Sequence, residues 1–112
     1  MSLDAMLFTK GTSWSGLMFI VNLTYIKPLN EVEKHIATHR EFLDRQYASG
    51  AFLASGPKNP RDGGIILASG SITRDELETI LAHDPFKNQG LAEYQITEFA
   101  PVKHTAAWAD SL

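Results

Sequence analysis

Two residues invite chemistry before any element is assigned: His39 in "HIATHREFL" and Asp84 in "LAHDPFKNQG". Histidine titrates closest to neutral pH of the ordinary side chains, which suits it to moving a proton in catalysis. A carboxylate that accepts one ring N–H fixes the imidazole tautomer and its orientation, leaving the other nitrogen to act as a base. The bland alternatives are real. A histidine on an apolar helix stripe is more often a core imidazole bonded to a backbone carbonyl, and Asp-Pro is a common turn opener. Pro85 disfavours helical geometry at Asp84, so this carboxylate must leave the helix axis, either to begin a turn or to point into a pocket.

Other groups compete less well. His35 and His39 are four apart, the spacing of two ligands for one metal, but "HIATH" has no glutamate in the zincin position and a third ligand would have to come from His83 or Asp84. His83 ends a helix at solvent, where it suits the negative end of the dipole, and His104 lies in the tail as a surface residue. "SGP", Ser55, Gly56 and Pro57, lines a pocket with a hydroxyl and backbone amides, or is simply a strand end with a turn. The sequence contains no GxGxxG, no GxxxxGK[ST] and no GxSxG, and "DGG" at 62–64 reads as a hairpin turn. No metal, nucleotide or other cofactor is expected.

Composition narrows the class. At 112 residues the chain is one domain, small enough that a second copy would help to bury apolar surface. With 44% hydrophobic and 21% charged residues it is an ordinary globular composition. A net charge of -3 with ten scattered Lys and Arg gives no basic footprint, so nucleic acid is not an expected partner. The absence of cysteine excludes a disulfide framework, a thiolate nucleophile and cysteine-ligated zinc, and it suits a cytoplasmic location. No apolar run approaches the ~20 residues of a membrane span, and no membrane association is expected. Residues 1–17 lack the pattern of a secretory signal and read as an N-terminal extension, disordered or an arm.

The elements that must position His39 and Asp84 follow from periodicity. Residues 17–25 alternate as a strand, with Leu17, Phe19, Val21, Leu23 and Tyr25 on the core face. Asn30 with Glu33 resembles a capping box, and the spacing predicts one helix from about Glu31 to Ser49, ended by Gly50. On it Val32, Ile36, Leu43 and Tyr47 form an apolar stripe with His39 in its middle. Two strands, "AFLASGP" and "IILASG", flank the turn-rich "KNPRDGG" as a hairpin. Thr73 with Glu76 makes a second capping box, stapled by Ile72 against Leu77, for a helix over 74–83; "LAEYQITEF" is the fourth strand. The order strand, helix, strand, strand, helix, strand is the ferredoxin-like split βαβ arrangement, an α+β fold with an antiparallel sheet and both helices on one face. The second helix then lies beside the first, which allows Asp84 to reach His39. Residues 104–112 form a tail.

Three stretches together resemble the YCII-related domain family: "MFIVNLTY", then "HREFLDRQYASGAFLASGP", then "AHDPFKNQGLAEYQITEFAPVK". The resemblance spans residues 18–103. It implies a ferredoxin-like βαββαβ domain that pairs sheet to sheet as a homodimer of the dimeric α/β barrel type, with a pocket holding a histidine and an aspartate. The family's histidine falls on His39 and its aspartate on Asp84. Pro85 would then end the helix so that the carboxylate faces His39, with Phe86 as a pocket wall and Ser55, Gly56 and Pro57 beside the ligand.

The expectation for function is a small general acid/base enzyme, of lyase or isomerase type rather than hydrolase, using a His-Asp dyad on a small organic molecule. The rival reading is a non-catalytic small-ligand-binding or accessory domain in which the two residues only hold the pocket together.

Overall fold

The computed structural model describes residues 17–111. The expected N-terminal extension, residues 1–17, falls almost wholly outside them. Four strands and four helical segments follow one another: β1 (Met18–Tyr25), α1 (Leu29–Glu33), α2 (Ile36–Ser49), β2 (Phe52–Pro57), β3 (Gly63–Ser69), α3 (Arg74–Leu81), α4 (Pro85–Asn88) and β4 (Ala92–Phe99). A 3-10 turn, Ala106–Ser111, occupies the tail.

The strands form one antiparallel sheet in the order β2-β3-β1-β4. Alternation along β1 sends Phe19, Val21 and Leu23 into the core, opposite Ala68, Ile66 and Gly64 on β3 and Glu98, Ile96 and Tyr94 on β4. Phe42 of α2 and Leu77 and Leu81 of α3 are fully buried against this face in a single hydrophobic cluster. The opposite face carries Ile20 and Asn22 of β1 across from Leu67 and Ile65 of β3.

This sheet is not closed into a barrel, so the barrel implied by the resemblance is corrected to an open four-stranded α+β sheet. Closure needs a hydrogen-bonded ladder between the first and last strands. Here β2 and β4 are the two edges, separated by β3 and β1, and no register joins them.

The first helix also departs from expectation. Instead of one helix from Glu31, the chain makes a short α1, turns at Lys34 and His35, and restarts at Ile36. Asn30 lies inside α1, and Pro28 stands at its N-cap with no side-chain cap bond. His35, at φ -114° and ψ 7°, bonds its amide back to Val32 O at 3.0 Å. No helix-breaking residue occurs at the turn, so its cause is tertiary: Val32 is drawn fully into the core while Ile36 and His39 stay at a cleft. Gly50 ends α2 in the left-handed conformation, φ 82°, and Thr73 and Glu76 form the reciprocal capping box of α3, both as the sequence predicts.

Candidate active site

His39 and Asp84 meet, although 45 residues separate them. His39 Nδ1 is 2.7 Å from Asp84 Oδ1. Asp84 is fully buried, whereas the His39 side chain keeps 14% of its exposure. The carboxylate accepts from two further donors: the Phe86 amide reaches Oδ1 at 3.0 Å, and the Tyr94 hydroxyl donates to Oδ2. A buried carboxylate without partners would cost several kcal/mol, and these three donors offset that cost.

The chain builds this cluster locally at the Asp-Pro break. α3 ends at Leu81, and Asp84, in extended geometry, becomes the N-cap of α4 with Pro85 at its first position. The turn reading and the pocket reading of Asp84 therefore both hold, through one oxygen: Oδ1 caps the Phe86 amide and accepts from His39. α4 also carries Phe86 beneath the imidazole, with ring centroids 3.9 Å apart and planes 5° from parallel. Tyr25 meets Phe86 edge-on, with ring centroids 5.9 Å apart.

Burial, then the negative charge of Asp84 and the hydrogen bond to it, push the Tyr94 phenol far above its ordinary value. Tyr94 therefore remains protonated and donates. Since the peptide N–H of Phe86 can only donate as well, the carboxylate acts as acceptor and Nδ1 of His39 carries the hydrogen between them. The tautomer that results leaves Nε2 with a free lone pair, and among the described residues no group bonds to it.

His39 and Phe86 line a cleft of about 530 Å³ together with Ser55, Gly56 and Pro57. Asp84 stands behind His39 and does not line it. Ser55 exchanges a hydrogen bond with the Tyr47 hydroxyl across the α2–β2 gap. Arg40 and Arg61 line the cleft without any signal in the sequence reading, and Tyr25, expected only on the core face of β1, borders it too. Tyr94 was equally unmarked, although its place on the core face of an alternating strand with a polar tip asks for a buried partner.

His35 stands at the turn before α2, and among the described residues no three metal-ligating side chains gather. His83 is exposed and donates a ring N–H to Thr79 O at 2.9 Å, and His104 is exposed in the tail. No described helix is long and apolar enough to cross a membrane.

No curated protein matches the chain. Among solved structures it is similar to 5-chloro-2-hydroxyhydroquinone dehydrochlorinase from Burkholderia phenoliruptrix AC1100, solved in complex with 2,5-dihydroxybenzoquinone. That likeness is 19% in sequence identity with a TM-score of 0.63, over 81% of this chain and 97% of the other, and at such identity it concerns the fold. Residues 18–100 match the YCII-related domain, a span that holds all four strands and both members of the His-Asp pair, and the chain accordingly belongs to the YCII-related domain family.

Proposed function

We propose that the chain is a small general acid/base enzyme in which His39 takes a proton from a small organic substrate held in the cleft. The observation that carries the reading is the pairing of a fully buried Asp84 with Nδ1 of a histidine whose other nitrogen has no protein partner and whose ring borders a cavity. A core imidazole satisfied for structural reasons would not need a wall of a 530 Å³ cleft. In an elimination, Nε2 takes the proton, the C–H electron pair becomes a carbon–carbon double bond, and the leaving group departs with its own pair. In an isomerisation the same proton returns to a different atom. Asp84 stabilises the imidazolium that both routes form. The fold-related dehydrochlorinase bears a lyase-type name, which agrees with elimination chemistry in this cleft. No serine lies in a nucleophile motif and cysteine is absent, which makes covalent catalysis the poorer reading.

The test is proton exchange. A panel of small carbon acids and substituted ring compounds, incubated with the protein in D2O and followed by proton NMR, should include compounds whose C–H signals wash out or whose elimination products accumulate. His39→Gln should abolish both effects. Ligands that raise the melting temperature without exchange or turnover in the wild type would replace the enzyme with a binding domain.

A further inference from the structure

Thirteen acidic residues outnumber ten basic ones, yet among the described residues no Asp or Glu lines the cleft, while Arg40 and Arg61 do. The two arginines arrive from different elements. Arg40 follows His39 on α2, and Arg61 stands in the turn between β2 and β3. Arg61 lies 3.5 Å from Glu33 Oε1, with both side chains about half exposed at 40% and 53%. A pair so exposed contributes little energy and leaves most of the guanidinium available. Arg40 has no ion-pair partner among the described residues. The remaining walls are largely apolar, with Leu23, Leu43, Pro57, Ile66 and Phe86.

We infer that Arg40 and Arg61 form an anion subsite beside His39, and that the cleft takes a small organic carboxylate with an apolar or aromatic body. This deepens the reading of the cleft as a reaction site and rests on it. A guanidinium offers parallel N–H donors that match the two oxygens of a carboxylate. The apolar walls receive the body, and a carboxylate held by Arg40, which lines the same cleft as the base, brings its neighbouring carbon towards His39. When Nε2 takes a proton from that carbon, the electron pair stays on the substrate and spreads into the carboxylate, where the arginine charges stabilise it. The subsite thus contributes to the transition state as well as to binding.

The experiment uses the full chain labelled with 15N, with 2-naphthoate and its neutral match 2-naphthamide as probes. Naphthoate should bind saturably, shift the Nε–H signals of Arg40 and Arg61, and bind more weakly as salt is raised. Arg40→Gln and Arg61→Gln, both exposed replacements, should each weaken naphthoate about tenfold and leave any amide binding alone. His39→Gln should retain naphthoate binding. Equal affinity for acid and amide, or no shift of either arginine signal, overturns the subsite. Failure of the two readings is separable: naphthoate binding with no C–H exchange on any compound leaves the subsite standing without the enzyme, and exchange on neutral compounds unaffected by both arginine replacements does the reverse.

Discussion

The imidazole of His39 lies flat on the phenyl ring of Phe86, with planes 5° from parallel. Phe86 is itself nearly fully buried, so the stack is a floor that fixes the imidazole plane while Asp84 fixes its rotation. Leucine at this position would keep most of the buried volume and lose the flat face. Phe86→Leu should therefore lower stability by about 1–2 kcal/mol and reduce proton transfer while the fold survives. Urea unfolding and the exchange assay together check this, and unchanged values in both would show that the stack positions nothing.

Replacement of Asp84 by asparagine tests the charge behind the imidazole. Phe86 N–H and His39 both use Oδ1 and Tyr94 uses Oδ2, so an amide that keeps its oxygen at the Oδ1 position still accepts from the first two and turns its NH2 towards the Tyr94 hydroxyl, which can accept. The ring keeps its tautomer, but a neutral amide cannot stabilise the imidazolium that forms when Nε2 takes a proton. Asp84→Asn should keep the fold and lose about 10²- to 10⁴-fold in rate. His39→Gln should lose at least as much, and the double variant should be little worse than the worse single one, since residues acting as a unit are not additive. Full activity in a folded His39→Gln protein would falsify the base assignment.

The sequence made some of this legible and hid the rest for physical reasons. Capping signals are local, so Thr73 with Glu76 and Gly50 could be read directly, and the Asp84-Pro85 break announced a change of direction without saying where the carboxylate would go. The turn at His35 has no local cause and could not be read, because it follows from burying Val32. Of the apolar stripe Val32, Ile36, Leu43 and Tyr47, Val32 enters the core, Ile36 and Leu43 pack at its edge and line the cleft, and Tyr47 is exposed, while Phe42, outside the stripe, fills the core from α2. Tyr94 reaches Asp84 only because β4 pairs with β1 so that Leu23 faces Tyr94. Register of that kind is set by the whole sheet. Arg61 sits in a turn whose residues announce only the turn.

The open face of the sheet combines Ile20, Ile65 and Leu67 with exposed Phe99, crossed by Lys58, whose ammonium donates to Asn22 Oδ1 at 3.0 Å. In a chain of 112 residues, a second copy is the proposed cover for this apolar strip. Sedimentation at micromolar concentration should find a dimer, and Leu67→Lys should shift it towards monomer. A monomer throughout that range in the wild type removes the proposal.

The last prediction concerns alkaline stability and comes from Tyr94. Burial and the Asp84 carboxylate raise its phenol in the folded chain, whereas in the unfolded chain it titrates at the ordinary value of about 10. The sign follows from proton counting. Above pH ~10 the unfolded state releases the proton and the folded state holds it, so the folded state binds more protons and its stability falls as pH rises. The contribution of this group is fully present below that pH and is lost above it, with a slope approaching about 1.4 kcal/mol per pH unit. Tyr94→Phe removes the proton from both states and the donor from Asp84. At pH 8 the variant should be less stable than the wild type by about 1–3 kcal/mol, and between pH ~10 and ~11 it should lose less on each step than the wild type does. Urea unfolding of both proteins at three pH values measures the difference, in which titration of the other tyrosines and lysines cancels. Parallel stability curves across that window would mean that Tyr94 ionises as freely in the folded chain as in the unfolded one, and that its bond to Asp84 does not hold it protonated.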